Sequence, residues 1–205
     1  MPEPNVGAAT GFNAISPGRY GRTRGEPGVI AGEIIGVGLA QIKARKNRAA
    51  LAEAARRAFG VELPRAPRCA EGRGLAFVWS GPERWLALAP EAPDKGMEAL
   101  LGEPFARLAA IIDESHGRVL LRAHGARIRD ALGKGLSVDL DPRAFRPGHA
   151  AITTVAQIGV LLWQRDERPT YEFALPRSLA QSYWHWLGEA TAEWGLEWRP
   201  PRNYA

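Results

Sequence analysis

Residues 32–60 read GEIIGVGLAQIKARKNRAALAEAARRAFG, and the change of period inside this stretch decides the fold. Up to Ala44 the apolar residues suit a β-strand. From there Ala50, Leu51, Ala54, Ala55, Ala58 and Phe59 recur at helical spacing and fall on one face. Asn47 is a candidate N-cap, because its short amide can accept a hydrogen bond from a first-turn N–H. Gly60 suits the left-handed position after the last turn. A strand feeding a capped amphipathic helix opens a β-α-β unit.

Outward from this unit, residues 75–79 (LAFVW) and 85–88 (WLAL) flank the turn-forming Ser80-Gly81-Pro82-Glu83, which is a hairpin signal. A second helix follows, with Asp94 as candidate cap, Met97, Leu100 and Leu101 on its apolar face, and Gly102 with Pro104 ending it. Residues 107–113 read as another strand. The order strand, helix, strand, strand, helix, strand is that of a ferredoxin-like unit.

The second half repeats the plan. A strand at 119–121 leads to a short helix at 125–132, then strands at 150–155, 158–163 and 171–175. In the final helix Pro176 suits the first turn and Gly195 the C′ position. Leu179, Tyr183, Trp186, Leu187, Ala190 and Trp194 form a stripe along it. The expectation is an α+β fold of two tandem ferredoxin-like (βαββαβ-type) halves, about 31–115 and 116–198, within one globular domain spanning 31–205. Residues 1–30 are rich in Gly, Pro and Arg and read as an irregular arm. Phe12, Ile15 and Tyr20 interrupt it with large apolar side chains, so the arm docks on its own domain or on a partner.

With 205 residues, 45% hydrophobic and 24% charged, the chain can close a core and stay in water. No run of apolar residues reaches the ~18 that a membrane span needs. The first residues lack the charged and apolar regions of a secretory signal, so the expected location is the cytoplasm, with no membrane partner. Cys69 is the only cysteine, which rules out an internal disulfide. Lys and Arg outnumber Asp and Glu by 27 to 22, but the excess is diffuse. Its densest stretch, residues 43–48, runs into a helix whose polar face also carries Arg56 and Arg57, the pattern of a solvated face rather than a nucleic-acid site.

The motifs that could carry chemistry have structural explanations. Gly36-Val37-Gly38 supplies two glycines of a dinucleotide fingerprint, but Gln41 stands where the third belongs. In Gly133-Lys134-Gly135 the lysine is followed by glycine rather than the Ser or Thr of a phosphate-binding loop. His116, His124, His149 and His185 form no metal-ligand pair at helical spacing. Asp113, Ser115 and His116 suit a hairpin turn better than a catalytic triad, which draws on distant segments. Asp139 and Asp141 suit a turn before Pro142. No catalytic, cofactor-binding or metal-binding residue is expected. The tryptophans offer a different use. Trp184 lies about 100° from the centre of the last helix's stripe, which suggests contact with a partner or with the arm. Trp79 and Trp85 face each other across the hairpin, where core and interface roles are both open. The candidate subunit-contact residues are therefore Phe12, Ile15, Tyr20, Trp79, Trp85 and Trp184.

Three blocks carry a family resemblance: FVWSGPERWLALAP (77–90), DESHGRVLLRAHGARIRDALGKGLSVDLDPRAFRPG (113–148) and TTVAQIGVLLWQRDERPTYEFALPRSLAQSYWHWL (153–187). In this order they resemble the gamma subunit of heterotetrameric sarcosine oxidase. The resemblance implies a folate-binding-domain-like fold, related to that of the aminomethyltransferases, in a non-catalytic accessory subunit that assembles with alpha, beta and delta subunits. Such a complex converts sarcosine to glycine, passes electrons through FAD and a covalently held FMN to oxygen with production of hydrogen peroxide, and delivers the one-carbon unit to tetrahydrofolate. FAD, FMN, NAD and tetrahydrofolate belong to the partner subunits. The chain departs from its catalytic relatives at two points. Asp113 is followed by Glu114-Ser115 instead of a second aspartate, and Cys69 sits in Pro67-Arg68-Cys69-Ala70 instead of a Lys-Gly-Cys motif. Two other readings are a stand-alone folate-binding aminomethyltransferase-like protein, which a reduced folate would bind, and a basic nucleic-acid-binding module, whose binding would be salt-sensitive.

Overall fold

The computed structural model describes residues 10–204. The strands are β1 (Gly18–Tyr20), β2 (Val29–Ile35), β3 (Gly38–Ala44), β4 (Cys69–Glu71), β5 (Ala76–Trp79), β6 (Arg84–Ala89), β7 (Ala109–Asp113), β8 (Arg118–His124), β9 (Ala150–Val155), β10 (Ile158–Asp166), β11 (Thr170–Pro176), β12 (Leu196–Trp198) and β13 (Arg202–Asn203). The helices are α1 (Arg48–Phe59), α2 (Gly96–Gly102), α3 (Ile128–Gly133) and α4 (Ala180–Thr191), the last preceded by a single 3-10 turn.

The α1 signals act as expected. Asn47 Oδ1 accepts from the Ala50 N–H at 3.0 Å, and Gly60, in the left-handed region at φ 66°, donates its N–H to Arg56 O at 3.0 Å. Leu51, Ala54, Ala55 and Phe59 form the buried face. The preceding stretch differs from the single strand expected over residues 32–44. It divides at Gly36, whose φ of 71° turns the chain out of one sheet and into another. Apolar residues on both sides of the break serve different cores, which local periodicity does not register.

One sheet has the order β4-β5-β6-β3-β7, all antiparallel; the other runs β1-β12-β2-β8-β11-β10-β9, with β13 also alongside β2. The crossovers through α1 and α2 place β3 between β6 and β7. In the second half β8 occupies the position equivalent to β3, next to β11, and β9 the edge position equivalent to β4. There β2 is inserted between β8 and β12, antiparallel to the first and parallel to the second. The second half therefore borrows a strand from the chain ahead of the first.

Strand alternation builds a four-layer stack. On β6, Trp85, Ala87 and Ala89 face the helices α1 and α2, while Leu86 and Leu88 face the other sheet. On β8 and β11, Val119, Leu121, Tyr171, Phe173 and Leu175 pack under α3 and α4, and Leu120 with Ala174 joins Leu39, Val78 and Trp163 between the sheets. Two helix starts differ from expectation. Asp94 does not cap α2; Asp113, at the end of β7, accepts from the Met97 N–H at 2.9 Å. Pro176 ends β11 rather than opening the last helix.

Within the span expected as an irregular arm, β1 pairs with β12, and β2 already begins at Val29. Phe12 is 5% exposed and meets the Trp198 ring edge-on at 5.0 Å. Residues 1–9 of the expected arm lie outside the described residues.

Candidate functional site

The six candidate contact residues do not share one surface. Phe12, Ile15 and Tyr20 pack on the same core as α4, and Tyr20 meets Trp184 edge-on at 5.0 Å while Trp184 meets Trp198 at 4.6 Å. The off-stripe position of Trp184 is thus explained by the arm, which it holds against the domain. Trp85 is fully buried, and its indole N–H donates to Pro64 O at 2.8 Å. It is a core residue, a correction to its reading as a contact candidate, because it lies inside the cluster that joins α1 and α2 to this sheet. Trp79, directly opposite in register, is half-buried and remains at a surface. It lines a groove of about 580 Å³ with Pro67, Arg68, Phe145, His149 and Ile152.

The groups that suggested chemistry are engaged within the chain. Asp113 Oδ1 accepts from the Ser115 N–H at 2.9 Å and Oδ2 from the Met97 N–H, so both oxygens are occupied by backbone. Ser115 Oγ accepts from Leu39 N–H at 3.0 Å and lies 3.3 Å from Leu39 O. His116 contributes its carbonyl to Arg177. The segment fastens β7–β8 to β3 as a turn. A cavity of about 270 Å³ beside it is lined by Glu33, Gly36, Ser115, His116 and Arg177. Among the described residues no group of three or more His, Cys, Asp or Glu could hold a metal ion, and no helix is long and apolar enough to cross a membrane.

Buried charge lies at the C-terminal end. Glu172, fully buried on β11, accepts from Arg122 Nε at 2.8 Å, from Arg165 at 3.3 Å and from the Tyr204 hydroxyl at 3.2 Å. The Tyr204 ring lies under both guanidiniums, 5.0 Å from Arg122 and 4.8 Å from Arg165. These contacts clamp the chain end across β2. Cys69, on β4, has its thiol pushed up to about 12, mainly by burial and further by Glu71 and Glu172.

A third open space lies where the two sheets part. The cleft measures about 580 Å³ and is floored by Leu86 and Leu161. One wall carries Gln41, Lys43 and Arg84 from β3 and β6; the other carries Ile152, Gly159 and Pro176 from β9, β10 and β11, and Ile112 of β7 closes one side. Ile112 is 60% and Ile152 53% exposed, the largest values among the exposed large apolar side chains of the described residues. Ile152 also borders the Trp79 groove, which makes the two spaces neighbours. Apart from Trp79, none of these residues is a contact candidate in the sequence, since single apolar residues in alternating strands look like core. The signal available was Gly159, a glycine inside an otherwise apolar strand.

The Sarcosine oxidase, gamma subunit family model matches residues 44–193. The chain is 36% identical over 167 residues to the sarcosine oxidase subunit gamma of Corynebacterium sp. (strain P-1), covering 78% of this chain and 77% of the relative. It is 37% identical over 163 residues to the Arthrobacter sp. subunit of the same name, covering 77% and 75% respectively. Among solved structures, a chain of the heterotetrameric sarcosine oxidase from Corynebacterium sp. U-96, in complex with pyrrole 2-carboxylate, aligns with a TM-score of 0.73 and 28% identity over 83% of this chain and 87% of that one. The glycine cleavage system aminomethyltransferase T of Bartonella henselae aligns with a TM-score of 0.58 over 84% of this chain and 48% of that one; at 16% identity this is a likeness of fold. With the family model covering most of the chain and relatives above one third identity, the chain belongs to the sarcosine oxidase gamma subunit family.

Proposed function

We propose that the chain is a non-catalytic accessory subunit of a four-subunit sarcosine oxidase, assembled with alpha, beta and delta partners. The complex oxidises sarcosine to glycine with FAD, covalent FMN, NAD and tetrahydrofolate held in the partner subunits. The observation that supports this reading is the internal engagement, among the described residues, of the glycines and carboxylates whose sequence suggested a cofactor site. Gly36 turns between two sheets instead of opening a helix, and a Cβ at Gly38 would stand 2.5 Å from Met97 Sδ, so the tight approach is to α2 and not to a pyrophosphate. Asp113, which the family resemblance sets against the paired aspartates of aminomethyltransferases, is held by two backbone N–H groups, and Glu114 is paired with Arg118. These residues do not fit a dinucleotide or a folate.

The test is to purify the chain alone and with the partner subunits. The isolated chain is expected to be colourless, inactive towards sarcosine and without affinity for a reduced folate. A flavin spectrum or folate binding in the isolated chain would overturn the reading.

A further inference from the structure

We propose that the cleft between the parted sheets receives an extended segment of another oxidase subunit, one that places carboxylates beside a branched or aromatic side chain. The inference rests on the accessory-subunit reading and names the surface through which assembly occurs.

Charge is the first support. Lys43 of β3 and Arg84 of β6 stand directly opposite each other in register, both exposed and both on the cleft face. Like charges in this position repel. Among the described residues neither has a carboxylate within ion-pairing distance, while the remaining charges of the cleft, Glu114 and Arg118, pair with each other. Arg68, at the mouth of the adjoining groove, likewise has no acidic partner among them. A cationic pair retained without neutralisation fits an acidic ligand, which gains from both charges at once.

Apolar surface is the second. Ile112 and Ile152 reach the cleft from two sheets and stay largely in water, next to the half-buried Trp79. An anion alone does not need them, and a nucleic acid would favour aromatic stacking platforms that the cleft walls lack.

Gly159 is the third. Glycine weakens a strand interior and often marks the close approach of a ligand or another backbone. Here it faces the cleft opposite Thr154, and a Cβ built on it meets no described atom within 4 Å. Nothing described in this chain requires the missing side chain. A segment lying across β10 would.

Gly159→Val therefore separates docking from stability. Valine suits a strand better than glycine and has open space, so the isolated chain should melt at the same temperature or higher. The same substitution should weaken assembly with the co-expressed oxidase subunits by about tenfold or more. The double variant Lys43→Glu with Arg84→Glu should also weaken assembly, and should reduce its dependence on salt. If both variants assemble like the unmodified chain, the cleft is not the docking site and the accessory-subunit reading still stands. Loss with the charge variant but not with Gly159→Val also overturns the proposal, because nothing then enters the cleft. If the unmodified chain itself fails to assemble with the oxidase subunits, both readings fall. Displacement of the subunits by a single-stranded oligonucleotide would assign the cleft to nucleic acid instead.

Discussion

Replacing Phe12 with alanine decides whether the N-terminal arm belongs to the fold. Phe12 is 5% exposed, so truncation removes a nearly buried ring; restoring such a side chain to water costs about 2 kcal/mol. The edge-on contact with Trp198 at 5.0 Å adds about 1 kcal/mol. Collapse around the site is limited on one side, because Gly11 already packs against Val119 and Ala180 without room for a Cβ. The sum is about 3 kcal/mol, at the lower end of what Phe→Ala costs in cores. For a chain of this size each kcal/mol lowers the melting temperature by about 2–4 °C, so a fall of about 6–12 °C is expected. Thermal and urea unfolding of the isolated chain measure it. Trp184→Ala should act in the same direction, since Trp184 bridges Tyr20 and Trp198. An unchanged melting temperature with lost assembly would show that the arm serves a partner and not its own domain.

Four further outcomes follow from buried groups. Burial of Glu33 raises its carboxyl above the ordinary 4.5 despite a hydrogen bond from Gly11 N–H. The folded chain thus holds this proton more tightly than the unfolded one, and the penalty for ionising it is absent below 4.5 and grows as pH rises through the folded value. Glu33→Gln should gain stability relative to the unmodified chain over that rise and then level off; a difference in urea midpoints that is flat or shrinks with rising pH would contradict this. With its thiol at about 12, Cys69 should be alkylated about a thousandfold slower at pH 8 than an ordinary exposed thiol, and should react fully only in denaturant. Rapid labelling of the folded chain would refute the burial argument. Glu172→Gln removes the buried carboxylate that Arg122 and Arg165 share and should cost about 3 kcal/mol in urea unfolding. Tyr204→Phe, which removes the hydroxyl's hydrogen bonds to Glu172 and from Arg165, should cost about 1–2 kcal/mol.

What was legible in the sequence was local. Asn47 and Gly60 bound α1 because a cap is made by neighbours in the chain, and the facing pair Trp79 and Trp85 followed from hairpin geometry. Both lie on the same face of the sheet, and that Trp85 is fully covered while Trp79 is not depends on what packs over each, a tertiary fact. The break at Gly36 was hidden because β2 and β3 are equally apolar and differ only in the sheet they join. The cap of α2 was misassigned to Asp94 because Asp113, distant in sequence, supplies it. The insertion of β2 beside β12 brings chain segments from opposite ends together, and no periodicity within either one records that. The candidate contact residues are large apolar side chains, all but Ile15 aromatic, whereas the open cleft is marked by two isoleucines, a like-charge pair and a glycine inside an apolar strand.

The most direct measurement is the composition, mass and activity of whatever retains this chain when it is isolated, tagged, at native expression level. The account predicts a single species holding the chain and three other subunits in equal amounts, carrying flavin and oxidising sarcosine. Recovery of the chain by itself, or with proteins that hold no flavin and leave sarcosine unchanged, would contradict it.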